Sequence, residues 1–427
     1  MPIEPSNPRA AACRLLQKIY AARGYANLAL DAELSRLNMP PADAALCAAL
    51  AYGVIERRRT LDYQLEGLLV QPLEKLPAIT LAALRMGLYQ LFYMDKIPAH
   101  AAINESVELV KRSRAHYTAK LVNAVLRKAQ GRGLTLPEGD GDYARSIHYA
   151  CPEWLCALWR ASYGDDTARE LLSSSFDNAK IILRANTLKI SPEDLREQLG
   201  GKEVPGCPEA IALPKAGDVR RLPGFAEGLF HVQDTAAQLC CKALDPQPGE
   251  AIFDLCAAPG GKSFTLAQMI QNQGKIVALD LHPGRLKLIT EGAGRLSIHC
   301  IETRAGDAAD PRILSKLGKA DRILCDVPCS GLGIIRKKPD IREKMPQELD
   351  KLPEMQYAIL SGGAGCLRPG GTLVYATCTL NPAENEDVCA RFLHNNPKFT
   401  MITRRTLTPY IDRTDGFYFA VFRKQYD

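Results

Sequence analysis

The first third of the chain carries apolar residues at intervals of three and four positions. Such spacing places them on one face of a helix that packs against a core. Three successive segments show it: Leu81, Leu84, Leu88 and Leu91; Ile103, Val107 and Val110; Leu121, Val122, Val125 and Leu126. Pro98 separates the first two segments as a helix stop and restart. We therefore predict an all-helical region over residues 1–135, with a boundary in the proline- and glycine-rich stretch 131–142.

The pattern changes to short apolar runs after residue 246. Five runs alternate with helical or loop segments and predict strands of a parallel sheet that carries helices on both faces. They are 251–255, 276–280, 300–304, 322–326 and 372–377. A last run, 417–424, predicts an antiparallel strand. Residues 143–245 form a mixed α/β region, with strands expected at 181–187 and 228–234.

Composition narrows the class of protein. The 427 residues contain 54 Lys and Arg against 48 Asp and Glu, which gives a net charge of +6 and weakly favours an anionic partner. The 14 cysteines are too few for a disulfide scaffold and show no paired metal-binding spacing, so we expect reduced thiols and no metal site. No apolar run is long enough to cross a membrane, and Glu4, Pro5 and Pro8 are untypical of a signal peptide. We expect a cytoplasmic protein with no membrane partner.

The first predicted strand runs into a loop of small residues and glycines. Such a loop lets a ligand approach the backbone at the next helix N-terminus, but it matches neither the dinucleotide nor the phosphate-loop fingerprint. The candidate cofactor residues of the loop are Cys256, Ala257, Ala258, Pro259, Gly260, Gly261 and Lys262. Asp280 ends the second strand and suits ribose hydroxyls, while Asp307 follows the third and suits an adenine amino group. Together they predict a site for an adenosine-type cofactor.

Two cysteines follow the next two strands. Cys329 lies in CDVPCSG, and Cys378 lies in YATCTLNP. Ligands of doubly wound sheets bind at the carboxyl ends of the strands. We therefore expect both thiols, with Asp326 beside them, to face the cofactor crevice.

These motifs resemble those of the Sun (Fmu) family of RNA cytosine-C5 methyltransferases. The resemblance covers the motifs DLCAAPGGK, RAGDAAD, DVPCSGLGIIRKKPDI and GGTLVYATCTLNPAENE. A NusB-like helical domain is the counterpart of three earlier segments, AYGVIERRRTLDYQL, PAHAAINESVELVK and KLVNAVLRK, which are similar to it. Leu281, His282 and Pro283 stand where family members often carry a further acid, and DVPC replaces the commoner DAPC. The resemblance implies a multidomain enzyme. Its parts are an all-α NusB-like RNA-binding domain (1–135), a mixed α/β linker domain (143–245) and a Rossmann-like methyltransferase domain (246–427).

The resemblance also implies the chemistry. S-adenosylmethionine is the methyl donor, Cys378 attacks the base, Cys329 assists release, and Asp326 contacts both the base and the methionine part of the cofactor. Cysteine suits the task because its thiolate is strongly nucleophilic and also leaves readily. DNA cytosine methyltransferases attack instead from the Pro-Cys motif. Lys262 is a candidate for stabilising the thiolate, or else a solvated lysine at a helix start.

Basic residues cluster where no acid is present. Residues 111–132 hold seven cations and favour a phosphate-binding surface; the candidates are Lys111, Arg112, Arg114, Lys120, Arg127 and Lys128. Residues 57–59 form a second basic cluster, and Arg184 lies in a family motif expected to face RNA. The resemblance to the NusB-headed enzyme implies 16S rRNA as the partner. A cytosine must leave any stack to react, so we expect a single-stranded or opened region of that RNA. We also expect a monomer. Two alternatives remain: transfer RNA as substrate, and a non-catalytic RNA-binding assembly factor.

Overall fold

The computed structural model describes residues 7–22, 33, 36, 37, 39–214 and 217–426. The chain forms two compact units. The helical unit comprises Met1–Asp177 and Ile335–Lys344, and the sheet unit comprises Asn178–Ile334 and Met345–Asp427. Glu4 and Pro5, which entered the expectation about a signal peptide, lie outside the described residues.

The helical unit is built from the amphipathic segments that the sequence predicts. Its helices are Pro8–Ala22, Pro41–Glu66, Ala78–Tyr93, Ala99–Lys111, Ala119–Arg132, Asp142–His148, Glu153–Tyr163 and Asp165–Ser174. Leu84, Val110 and Leu126 are fully buried in one apolar core, as their spacing requires. One helix begins directly after Pro98, whose missing amide hydrogen costs nothing at that position.

The division into units differs from the predicted domains at two places. Residues 142–174 pack with the helical unit, where the hydroxyl of Thr60 donates to the carbonyl of Ile147 at 2.5 Å. The segment Ile335–Lys344 also joins this unit. Its anchor is the fully buried Arg342, whose guanidinium donates to the carbonyls of Tyr149 and Ser175.

The sheet unit begins with a small antiparallel sheet. Its strands are β1 (Ile181–Ala185), β2 (Lys202–Glu203), β3 (Ala210–Leu213) and β4 (Phe230–Val232), in the order β2-β3-β1-β4. The helix Pro192–Leu199 lies between β1 and β2 in the chain. The strands predicted at 181–187 and 228–234 are confirmed as β1 and β4. β2 and β3 were not predicted, because they are short and flanked by glycine and proline.

A seven-stranded sheet forms the rest of the sheet unit. Its strands are β5 (Ala251–Asp254), β6 (Lys275–Asp280), β7 (Ile301–Ala305), β8 (Ala320–Asp326), β9 (Leu367–Thr377), β10 (Phe399–Leu407) and β11 (Phe417–Lys424). The order is β10-β11-β9-β8-β5-β6-β7. β5 to β9 pair in parallel, and β11 is antiparallel to β9 and β10. The predicted parallel sheet with a final antiparallel strand is confirmed.

Helices connect the strands of this sheet and bury its faces. They are Thr235–Leu244, Gly261–Met269, Pro283–Leu296, Pro311–Leu314, Leu352–Cys366, Glu386–Asn395 and Pro409–Asp412. In β9 the residues Leu373, Val374 and Tyr375 are completely buried, which explains its continuous apolar run. No helix in the described part of the chain has the length and apolar character needed to cross a bilayer.

Candidate active site

The carboxyl ends of β5 to β9 meet at one edge of the sheet because these strands are parallel. The loop after β5 leads into the helix Gly261–Met269 at this edge. Gly260 has a φ of 109°, and a Cβ atom there would lie 2.6 Å from the ring of Phe264. Glycine is therefore required, and it keeps the helix N-terminus open to a ligand.

Asp280 joins the loop after β5 to the end of β6. Asp280 is 4% exposed. One carboxylate oxygen accepts a hydrogen bond from the backbone N–H of Ala258 at 3.1 Å, and the other accepts from His282 at 3.0 Å. The guanidinium of Arg285 lies 3.6 Å from the same carboxylate and donates to the carbonyl of Ala258. The acid thus holds two candidate cofactor segments together.

Asp307 lies at the same edge but in a different environment. The N–H of Gly306, its neighbour, donates to the carbonyl of Asp280 at 3.1 Å. The carboxylate of Asp307 is exposed and accepts from the N–H of Ala309 at 2.8 Å. The structure therefore places this residue within the predicted site, at its solvent side.

Lys262 and Asp326 form an ion pair at this edge. The Lys262 ammonium lies 2.5 Å from a carboxylate oxygen of Asp326 and 5.3 Å from the centre of the Phe417 ring. Burial by itself lowers the pKa of Lys262, but Asp326, together with the neighbouring Cys240 and Cys241, outweighs that effect and holds the pKa above its usual value. The lysine is a half-buried partner of Asp326, rather than a solvated lysine at the helix start.

Asp254, at the end of β5, is an acid that the sequence analysis missed. It is 1% exposed, and one of its oxygens accepts from the hydroxyl of Ser263 at 2.7 Å. Burial raises its pKa to about 7, although the Ser263 hydrogen bond opposes the shift. The sequence feature that could have identified Asp254 is its position at the end of an apolar strand, directly before a glycine-rich loop.

The two predicted cysteines are in contact. The Sγ atoms of Cys329 and Cys378 lie 3.3 Å apart, and the N–H of Gly333 donates to the carbonyl of Cys378 at 3.0 Å. Ten of the 14 cysteines are buried, whereas both of these are partly accessible. The pKa of Cys329 is raised by its hydrogen bond with Cys378, by burial and by the negative charge of Glu384. At neutral pH, Cys329 therefore remains a protonated thiol.

The cations of residues 111–132 lie on the surface of the helical unit. All six candidates there are exposed. Lys120, Arg127 and Lys128 lie on one face of the helix Ala119–Arg132, since seven and eight residues are two helical turns. Lys111 and Arg112 pair with Glu108, at 2.7 Å and 3.8 Å. Glu108 therefore offsets part of their charge.

Two expectations about RNA contact are wrong. Arg184 is 4% exposed, and its guanidinium donates to the side-chain oxygens of Gln268 and Gln238, so it stabilises the sheet unit from within. The cluster at residues 57–59 is also not a free basic surface. Arg57 stacks on the rings of Tyr93 and Phe176, and Arg58 pairs with Asp62 and Glu343.

Comparisons with known proteins agree with this architecture. A family model described as 16S rRNA methyltransferase RsmB/F matches residues 241–423. A NusB family model matches residues 6–131, and a ferredoxin-like domain model of RsmF/B-like methyltransferases matches residues 151–220. The probable ribosomal RNA small subunit methyltransferase B of Synechocystis sp. is 36% identical over 442 residues, which cover 97% of this chain and 99% of that protein.

Solved structures share the fold. The crystal structure of PH0851 superposes with a TM-score of 0.84 at 23% identity and covers 99% of this chain and 100% of its own. The crystal structure of NSun6 from Pyrococcus horikoshii with SFG has a TM-score of 0.60 at 22% identity. That similarity covers 65% of this chain and 99% of NSun6. At these identities the likeness establishes the fold alone.

Proposed function

This chain belongs to the RsmB/F family of 16S rRNA methyltransferases, and we propose that it methylates C5 of a cytosine in 16S rRNA through a covalent adduct on Cys378. The contact of two partly accessible thiols at the carboxyl ends of β8 and β9 carries this proposal. A methyltransferase acting on an exocyclic amine needs no thiol. A pair of cysteines beside the cofactor loop therefore favours methylation of carbon.

The chemistry requires a nucleophile that can also leave. C5 of cytosine reacts only after a thiolate adds to C6, which makes C5 electron-rich. We assign the addition to Cys378, since the family resemblance places the attacking thiol in the Thr-Cys motif. After C5 has been methylated, its proton passes to water, the electron pair of the C–H bond re-forms the C5–C6 double bond, and the C6–S bond breaks to release the thiolate of Cys378. Cysteine suits both steps, as a good nucleophile and a workable leaving group.

Cys329 takes the complementary role in this proposal. Its raised pKa keeps Cys329 protonated beside Cys378, so Cys329 does not compete as the attacking thiolate. Two thiolates in contact would repel each other, which favours a single nucleophile. We assign Cys329 to the release of the product.

S-adenosylmethionine supplies the methyl group in this proposal. The residues at the edge fit such a molecule, because Gly260 leaves the helix N-terminus open and Asp280 presents a buried carboxylate. We assign residues 256–262, Asp280, Asp307 and Asp326 to hold it. The relative solved with SFG, an analogue of S-adenosylmethionine, supports this choice of cofactor.

Asp326 also faces the base in this proposal. Its side chain is 27% exposed, and one oxygen is engaged by Lys262. The ion pair fixes the carboxylate, so that Asp326 can accept a hydrogen bond from N3 of cytosine once N3 has taken up a proton from water as the thiolate adds to C6. The exposed cations of residues 111–132 bind phosphates of a single-stranded or opened rRNA region.

Mapping of 5-methylcytosine tests the proposal. Total RNA from cells that lack the gene is incubated with S-adenosylmethionine and either wild-type protein or Cys378→Ala. We expect one new 5-methylcytosine in 16S rRNA with the wild-type protein and none with the variant. Mass spectrometry of the nucleosides distinguishes methylation at C5 from methylation at the exocyclic amine. Methylation in transfer RNA, or at the amine, would contradict the proposal.

A further inference from the structure

A fully buried carboxylate lies beneath the two cysteine loops. Glu384 is 0% exposed and ends the short turn Pro382–Glu384 that follows β9. Four neutral groups donate hydrogen bonds to it. They are the N–H of Ser330 at 2.8 Å, the hydroxyl of Ser330 at 2.5 Å, the amide of Gln356 at 2.9 Å and the amide of Asn381 at 2.9 Å. An ionised carboxylate is the side chain that accepts from this many donors.

Three of these four donors come from the two cysteine loops, and the fourth, Gln356, comes from the helix Leu352–Cys366. Ser330 directly follows Cys329, and Asn381 lies three residues after Cys378. The hydroxyls of Ser330 and Thr379 are 2.6 Å apart, and Thr379 is the residue that follows Cys378. One buried carboxylate thus connects the two neighbours of the cysteines.

The hydrogen bonds fix the direction of each proton. The single hydroxyl proton of Ser330 points to Glu384, so the contact with Thr379 requires Thr379 to donate. The amide of Gln356 donates both to Glu384 and to the carbonyl of Pro328, directly before Cys329. The loop of Cys329 is therefore held on both sides of the cysteine. A buried network with a defined set of donors is rigid.

We propose that Glu384 is a positioning residue whose carboxylate holds the Cys329 and Cys378 loops together, so that the two sulfurs stay in contact. The assignment rests on the proposed two-cysteine chemistry. A shift of about 1 Å in a reacting group can cost about 100-fold in rate, so a residue that sets the distance between the sulfurs has a large effect on turnover.

Two substitutions separate geometry from charge. Glu384→Ala removes every link between the loops that runs through this carboxylate. Glu384→Gln removes the charge but can keep the geometry, because its oxygen can accept from the Ser330 N–H and Gln356 while its amide donates to the Ser330 hydroxyl. This arrangement requires the Asn381 amide to turn over, which gives up the long hydrogen bond that its oxygen accepts from the N–H of Ala383 at 3.3 Å but leaves both cysteine loops attached. Gln is therefore the conservative variant that should rescue positioning.

Disulfide formation measures the distance between the sulfurs without RNA or cofactor. Diamide oxidises the two thiols to a disulfide, and their two hydrogens pass to its N=N bond. Peptide mass spectrometry identifies the Cys329–Cys378 link and its rate of formation. The matched control is Thr80→Val, which removes a buried hydroxyl pair with Thr118 at 2.8 Å in the helical unit.

We expect Glu384→Ala to form the disulfide at least about tenfold more slowly and to lose about 100-fold in kcat, with the KM for S-adenosylmethionine unchanged. Glu384→Gln should restore the disulfide rate and most of kcat, and Thr80→Val should behave as wild type. If Glu384→Ala does not fold, Ser330→Ala replaces it, with a slower disulfide again expected. Disulfide formation at the wild-type rate in the folded variant would overturn the assignment. If the wild-type protein forms the disulfide but produces no 5-methylcytosine, the proposed function fails and the positioning role stands.

Discussion

The sulfur atoms of Cys329 and Cys378 lie 3.3 Å apart although 49 residues separate them in the chain. The pairing of two strands explains this proximity. β8 and β9 are parallel, and Asp326 pairs with Ala376. Cys329 follows Asp326 by three residues, and Cys378 follows Ala376 by two, so both loops leave the sheet at the same level. The register of one strand pair thus creates the two-thiol site.

The buried carboxyl of Asp254 should make stability depend on pH. Its pKa is about 7 in the folded protein and about 3.8 when unfolded, so the folded state binds this proton more tightly. The free energy of unfolding should therefore fall as pH rises from about 4 to about 7, and Asp254 should account for up to about 4 kcal/mol of that fall. Above about pH 7, Asp254 should add no further pH dependence. Denaturant unfolding across a pH series measures the slope.

Asp254→Asn supplies the comparison. The variant cannot titrate, so its stability should fall less steeply between about pH 5 and about pH 7 than that of the wild type. The control variant, Asp387→Asn, changes an exposed acid and should keep the wild-type dependence of stability on pH. Equal slopes in the Asp254→Asn variant and the wild type would show that Asp254 is ionised throughout this range.

Asp280 should contribute strongly to cofactor affinity. Charged hydrogen bonds to ribose hydroxyls are worth about 1.5–3 kcal/mol, so Asp280→Ala should weaken S-adenosylmethionine binding by about 10- to 100-fold. Calorimetry of the folded variant measures the change. Glu291→Gln, an exposed acid on the following helix, should bind like wild type. Unchanged affinity in Asp280→Ala would remove this residue from the site.

The exposed face of the helix Ala119–Arg132 should bind phosphates. Replacing Lys120, Arg127 and Lys128 with Gln should make the plot of log K for RNA binding against log salt concentration less steep. The slope should decrease in magnitude by about 0.7–0.9 for each phosphate that the variant no longer binds. Replacing Lys111 and Arg112 should change the slope less, because Glu108 already pairs with both. Binding of 16S rRNA across a salt series measures this. Identical slopes in all three proteins would mean that these cations are only a solvated face.

Arg184 should affect stability rather than RNA binding. Arg184→Leu leaves the side-chain oxygen of Gln268 without this donor in the interior, and leaves that of Gln238 with the weaker thiol donor of Cys207. Unsatisfied buried groups cost about 1–3 kcal/mol each, so the free energy of unfolding should fall while RNA affinity stays the same. Denaturant unfolding and RNA titration of the same preparation test both parts. A stable variant with weaker RNA binding would show that Arg184 does contact RNA.

The sequence predicts a strand most reliably where one physical cause, such as burial on both faces, determines its residues. The central parallel strands are buried on both faces, so each is a continuous apolar run that is visible without a structure. β10 was missed because most of its residues are exposed and carry polar side chains, as in Thr403, Arg404 and Arg405. An edge strand is thus defined by its neighbour, here β11, rather than by its own pattern.

Side-chain partners were harder to predict than strands. The cysteine pair could be predicted because both residues follow strands of one parallel sheet. The buried position of Arg184 could not be predicted, since its partners Gln238 and Gln268 lie 54 and 84 residues away in the chain. Glu384 resembles an ordinary acid before a helix, and its burial against Ser330 emerges only from the packed loops. Burial and pairing depend on distant residues, which the local pattern does not contain.

The covalent RNA adduct tests the central claim most directly. Cys329→Ala, Cys378→Ala and wild-type protein are each incubated with 16S rRNA and S-adenosylmethionine, separated on denaturing gels, and the linked peptide is identified by mass spectrometry. We expect Cys329→Ala to attack and release poorly, leaving a stable adduct on the peptide that contains Cys378. Cys378→Ala should give neither adduct nor methylation. An adduct in Cys378→Ala that is absent in Cys329→Ala would reverse the two roles and contradict this account.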